Sequence, residues 1–229
     1  MATESTLPIL GYRGEAVPNR IQRASAARDR LAILLPGFGY TLDMPLFYYA
    51  ENLLLEQGWD LLRVEYAYNQ RPDFQSAPAP ERERWLLDDA TAAYRAGLSQ
   101  RAYGEVALIG KSLGALAMGH LLTMDEPIAA ASSAVWLTPL LGEARLREQI
   151  ARFGGPSLFV IGAADAHYDP TWLEEVRHAT NGQTVVIASA DHGMDIAGDP
   201  VASVRAVEQV VAALARFLLR SPEPGREPS

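Results

Sequence analysis

The stretch "VALIGKSLGALAMGH", residues 106–120, carries two short motifs superimposed. Gly110-Lys111-Ser112 is the ending of a phosphate-binding loop. Gly110-Lys111-Ser112-Leu113-Gly114 is a Gly-x-Ser-x-Gly, which holds a serine on a strained turn between a strand and a helix. The two readings place different chemistry at the same spot, an anion cradle or a nucleophile.

The phosphate loop Gly-x-x-x-x-Gly-Lys-Ser/Thr requires glycine at position 105, where the chain has Glu105; Gly104 comes one residue too early. The intervening residues are also of the wrong kind. A cradle needs a loop whose N–H groups curl around the anion, whereas "EVALI" (105–109) is mostly apolar and reads as the strand itself. "PGFGYT" (36–41) begins like a dinucleotide fingerprint with Gly37 and Gly39, but the third glycine position holds Leu42. The serine-turn reading keeps every local fact: an apolar strand before, a helix-forming run after, and glycine two residues to either side, where bulk would collide.

Outward from this stretch the pattern alternates. Strands are expected at 30–36, 60–68, 105–110, 133–139, 156–162 and 183–188, with helices at 45–58, 80–101, 112–124, 143–153, 169–179 and 199–220. Short, nearly all-apolar strands separated by helices predict an α/β fold, a mostly parallel sheet of six or more strands with helices on both faces. No linker or repeat interrupts it. Residues 1–220 are expected to form a single domain, with 1–29 irregular except for a short strand near 16–21, and 221–229 a disordered tail.

Composition removes several function classes. There is no cysteine, hence no disulfide, thiol nucleophile or thiolate metal site. Net charge is −8 with no basic run, a poor match to nucleic acid or an anionic membrane. No apolar stretch approaches the roughly 20 residues of a membrane span, and the N-terminus lacks the pattern of a secretory signal. A soluble, cytoplasmic protein is expected, with no metal or organic cofactor. Oligomeric state is not readable.

With the serine turn in place, the chain over about residues 30–220 resembles the α/β-hydrolase superfamily. The resemblance implies a triad in the chain order Ser, Asp/Glu, His, on loops at the carboxyl ends of strands. Ser112 would be the nucleophile; Asp165, in "AADAHYD" after the strand 156–162, the acid; and His192, in "SADHGMD" after the last strand, the base. Each has a plainer alternative. Ser112 is also a good helix cap. Asp169 competes with Asp165, although Asp169-Pro170 reads as a cap followed by the first helical residue. His120 lies in an apolar helix, His178 ends a charged one, and His167 comes too early in the order while remaining able to line the pocket.

The same resemblance assigns the oxyanion donors to the backbone N–H of Leu113 and of Phe38, with Gly39 as alternative because Pro36 stands where the superfamily often has histidine. Only residues 140–155 separate two strands where many members insert a cap, so no cap domain is expected and the chain resembles the small lidless, dienelactone-hydrolase-like branch. Tyr40, Asn69, Trp136 and Leu140 are expected at the cleft rim, Trp136 equally as core. Lys111, the only lysine, is expected to point away and pair with a carboxylate. The implied activity is cleavage of a small-molecule carboxylic ester or thioester through an acyl-enzyme; the alternative is a non-catalytic binding or scaffold protein of the same fold.

Overall fold

The computed structural model describes residues 3–26, 28–125 and 132–219. Eight strands form one sheet in the order β1-β2-β4-β3-β5-β6-β7-β8. They are β1 (Thr3–Ser5), β2 (Asn19–Arg23), β3 (Arg30–Leu35), β4 (Asp60–Val64), β5 (Glu105–Lys111), β6 (Ser133–Leu137), β7 (Ser157–Gly162) and β8 (Gln183–Ile187). From β4 to β8 neighbours run parallel; β1–β2 and β2–β4 are antiparallel. Among the described residues the α-helices are α1 (Pro45–Glu56), α2 (Pro72–Ser76), α3 (Ala79–Leu98), α4 (Leu113–Leu122), α5 (Ala144–Phe153), α6 (Pro170–Thr180) and α7 (Pro200–Leu218).

Side chains alternate across each strand, so a parallel sheet buried on both faces needs apolar residues at consecutive positions. Along β3, Leu31, Ile33 and Leu35 enter the core under α3–α6, while Ala32 and Leu34 face α1 and α7. On β5, Leu108 and Ile109 divide in the same way. Helix starts follow local rules: Asp169 accepts from the N–H of Thr171 and Trp172 ahead of α6, and Asp199 from that of Ala202 in α7, each followed by proline at the first helical position. Between β6 and β7 the described chain holds α5 and short loops, with no cap domain.

Two expectations are corrected. The first 29 residues hold more than the one short strand expected near 16–21: that strand lies at β2, β1 pairs with it, and Ile9, Tyr12, Val17 and Ile21 are buried. The Tyr12 N–H donates to the buried carboxylate of Asp89 at 2.8 Å, and Tyr68 OH donates to its other oxygen at 2.7 Å. The sequence of β2, "NRIQR", has one apolar residue, so no periodicity marks it. The strand read at 60–68 stops at Val64. Tyr66 and Tyr68 alternate as a strand would, yet they stack on one another (4.5 Å) and Tyr68 on Phe74 of α2 (4.1 Å). The tail 221–229 lies outside the described residues. No described helix is long and apolar enough to cross a membrane.

If the amino-terminal strands belong to the core, Ile21→Ala should cost about 2–5 kcal/mol. Urea unfolding measures it, and an unshifted midpoint would show β2 to be peripheral.

Candidate active site

Strand β5 ends at Lys111, and the next residue is held at φ 53°, ψ −111°. This is a positive φ on a non-glycine residue, Ser112. Such backbone costs on the order of 1–3 kcal/mol and persists only where the surroundings impose it. Here they do. The Ser112 N–H donates to Leu137 O at 3.0 Å. A Cβ on Gly110 would lie 2.4 Å from Met118 Sδ and 2.7 Å from Gly114 O. A Cβ on Gly114 would lie 2.0 Å from Leu35 O. Both glycines let α4 press against the strand ends. The plainer reading of Ser112 as a helix cap does not hold, because its side chain makes no capping hydrogen bond.

Two strands further along the edge, Asp165 follows β7 and His192 follows β8. His192 Nδ1–H donates to Asp165 Oδ2 at 2.8 Å. The second carboxylate oxygen accepts the His167 backbone N–H at 2.9 Å. The Asp165 side chain is wholly buried, whereas the imidazole is 37% exposed. Burial works against ionisation of Asp165, but the His192 and His167 hydrogen bonds and the neighbouring imidazole charges outweigh it and hold the carboxyl below its ordinary range. Asp169 is spent on the start of α6. The His192 loop is tight: Asp191 Oδ1 accepts the N–H of both Gly193 (2.7 Å) and Asp195 (3.0 Å).

Lys111 corrects its expectation. It is buried, and Nζ donates to Thr138 Oγ1 (2.8 Å) and to the backbone carbonyl of His192 (2.7 Å) rather than pairing with a carboxylate. That bond sets the His192 backbone beside the residue preceding Ser112. Among the described residues no hydrogen bond joins Ser112 Oγ to His192.

The loop after β3 touches the serine from the other side; a Cβ on Gly37 would be 3.4 Å from Ser112 Cβ. Among the described residues the amides of Phe38, Gly39 and Leu113 donate no hydrogen bond, so each is uncommitted. Further along, Asp43 takes a guanidinium nitrogen of buried Arg63 at 2.6 Å, and Arg63 also bonds Glu51 and Glu65.

A cleft of about 530 Å³ reaches Ser112 and is lined by Phe38, Leu113 and Leu140. Its outer walls, Phe74 of α2, Leu86 of α3 and Leu146 of α5, escaped the sequence reading, because they come together only through packing between helices. Pro72 at the start of α2 was the one local signal there. Tyr40 and Asn69 do not line this cleft. Tyr40 OH accepts the Leu46 N–H at 3.1 Å, with its ring against Lys111. Asn69 lines a smaller pocket of about 170 Å³ behind Phe38. Trp136 is core, its indole N–H donating to Ser157. His120 meets Thr91 at 3.2 Å, and His178 is exposed beside Glu174. Donor atoms of Asp165, His167 and His192 lie within 4.8 Å of one another, the one such grouping among the described residues. Both oxygens of Asp165 are already committed to hydrogen bonds there.

The family model described as an alpha/beta hydrolase domain matches residues 28–218, and the chain belongs to that family. Its fold is the lidless, dienelactone-hydrolase-like form. A lidless serine hydrolase from Xanthomonas campestris is 18% identical at TM-score 0.67, over 96% of this chain and 97% of that one. An esterase from Pyrococcus furiosus is 14% identical at TM-score 0.69, covering 96% and 92%. A dienelactone hydrolase from Anabaena variabilis is 14% identical at 0.66, covering 94% and 98%. No curated protein matches the sequence.

Gly114→Ala should unfold or severely destabilise the protein, by about 3 kcal/mol or more, since its methyl meets backbone that cannot swing away. Thermal melting tests this; a wild-type melt would mean that α4 and β3 are not in contact.

Proposed function

We propose that the protein is a serine hydrolase that cleaves carboxylic esters or thioesters. The observation that carries the reading is the 2.8 Å bond between His192 and fully buried Asp165, on the edge where strained Ser112 opens into the cleft. Nothing in folding requires this combination. A strained serine and a buried carboxylate each cost stability.

Serine is a weak nucleophile without a base. His192 Nε2 takes the Ser112 proton as Oγ attacks the acyl carbon, and passes it to the departing alcohol or thiol. Water then repeats the step on the acyl-enzyme. Asp165, bonded at Nδ1, fixes the tautomer that leaves Nε2 free and stabilises the imidazolium. The missing Ser112–His192 bond matches a free enzyme in which that contact closes only with substrate. The uncommitted Leu113 and Phe38 amides supply the oxyanion donors, and Gly39 is the neighbouring alternative. The substrate is a small molecule whose apolar acyl part lies along Phe38, Leu116 and Leu146.

A fluorophosphonate probe should label the wild type and not Ser112→Ala. Absence of labelling in the folded wild type overturns the enzyme reading and leaves the non-catalytic scaffold. Asp165→Asn should lower kcat by about 10³–10⁴-fold. Ester cleavage should fall in acid while Asp165 stays ionised, because its carboxyl sits below the usual range; a rate unchanged down to about pH 4 contradicts the base assignment. Leu116→Trp, which narrows the cleft, should shift preference toward shorter acyl chains by about tenfold or more, read on a p-nitrophenyl ester series.

A further inference from the structure

We propose that Lys111 is a positioning residue, whose ammonium ties the loop carrying His192 to the strand end carrying Ser112. The inference rests on the serine-hydrolase reading.

Lys111 is the only lysine in the chain and is 1% exposed. An ammonium has three N–H donors. Two are spent on Thr138 Oγ1 at 2.8 Å and His192 O at 2.7 Å. The Tyr40 ring, 4.6 Å away, faces the cation as well. Four parts of the sheet edge therefore meet at one atom: the end of β5, the turn after β6, the loop after β8 and the loop after β3. Three of the four carry or adjoin a group of the proposed chemistry. Lys111 precedes the nucleophile, Tyr40 lies two residues beyond Phe38, and His192 is held directly.

Core packing does not explain this side chain. A methionine fills similar space without the cost of a buried charge, and replacing buried ions by apolar groups is often neutral or stabilising. The contacts also impose strain elsewhere. Thr138 is β-branched yet sits at φ 41°, where its Oγ1 meets the ammonium and its N–H reaches Val160 O at 2.7 Å. With its backbone held by Lys111 and its ring by Asp165, His192 is fixed at two points on opposite sides of the residue. Releasing one lets the imidazole drift, and a displacement of about 1 Å can cost about 10²-fold in rate.

The charge on this group is sensitive to pH. Burial lowers the Lys111 pKa to about 8, against the opposing pull of Asp165 and Asp191. The titratable groups facing it are Tyr40 from the β3 loop, Asp165 from the β7 loop, and Asp191 and His192 from the β8 loop. Tyr40 is pushed up to about 12 by burial, and Asp165 is held below its usual range despite burial by its hydrogen bonds to His192 and His167, so neither changes charge near pH 8. Loss of the proton still leaves a donor for each of the two bonds but removes the charge that strengthens both and that the Tyr40 ring faces, so the hold on His192 weakens and activity should decline. Stability moves the other way. The folded value of about 8 lies below the ordinary 10.5, so between them the folded chain binds fewer protons than the unfolded chain, and Lys111's contribution to stability rises with pH. Titration of Lys111 therefore does not itself promote unfolding as activity declines.

Because the lysine is unique, ¹³C,¹⁵N-lysine labelling of the intact protein gives a single side-chain resonance for titration by NMR. The expected result is a midpoint near 8, with the His192 Nδ1–H resonance moving in step and kcat falling with little change in KM. Lys111→Met should lower kcat by about tenfold to 10²-fold and abolish the alkaline decline. A His192 resonance unmoved through the lysine titration overturns the proposal, as does Lys111→Met with wild-type kcat. If Lys111→Met does not fold, the wild-type titration decides. If the wild type cleaves no ester, the serine-hydrolase reading fails on its own, while the NMR result still tests whether Lys111 holds His192.

Discussion

The site depends on a steric constraint at the Ser112 turn. Helix α4 starts so close to the end of β3 that position 114 has no room for a single methyl group against Leu35 O. Position 110 is closed from the same helix by Met118 and Gly114. With glycine at both places, the chain must reverse from strand to helix within one residue, and that residue takes a backbone conformation that L-amino acids avoid. The turn brings the first helical N–H, that of Leu113, to the sheet edge. It also exposes the serine side chain to the cleft. The packing of two secondary elements thus fixes Ser112 and an uncommitted donor together.

Around this turn the molecule buries two opposite charges, Asp165 and Lys111, neither of which takes the other as its hydrogen-bonding partner. Both are directed at His192, the carboxylate at the ring and the ammonium at the backbone carbonyl. Polar groups in a low-dielectric interior must be fully satisfied or they cost several kcal/mol. Here the same bonds that satisfy them restrict the imidazole. The stability invested in burying these groups reappears as limited freedom in the His192 side chain.

The extent to which this was legible in the sequence follows from the range of the forces involved. Strands β3, β5 and β7 are continuous apolar runs, and their burial on both faces is a local fact of composition. The glycine pair around Ser112 and the Asp169-Pro170 start of α6 are likewise local, which separated Asp165 from its competitor. Strand β2 was legible only as a short strand near 16–21, its bounds displaced because a strand with one apolar residue has no periodicity to fix them, and β1 was not legible at all. Tyr66 and Tyr68 imitated a strand because buried aromatic stacking uses the same alternation. Tyr40 and Asn69 were placed at the rim from chain position alone, and the direction of a side chain after a strand end depends on distant partners. Lys111 shows this most clearly. Its destination, a carbonyl 81 residues away, leaves no mark near position 111.

Openness is the remaining property to account for. The connection between β6 and β7 is too short to fold over the cleft, and the wall opposite Ser112 is made by α2, α3 and α5 of the fold itself. Enzymes that protect a reactive intermediate from water close over it. A hydrolase has the opposite need, because water is itself a reactant. For such chemistry a lid adds a conformational step without protecting anything. The open cleft combines an apolar strip of Leu113, Leu116, Leu140 and Leu146 with the charged side chains of Arg82, Glu83, Glu143 and Arg145. On the imidazole side it must leave access for water, and the 37% exposure of His192 provides that, while Asp165 behind it is wholly buried.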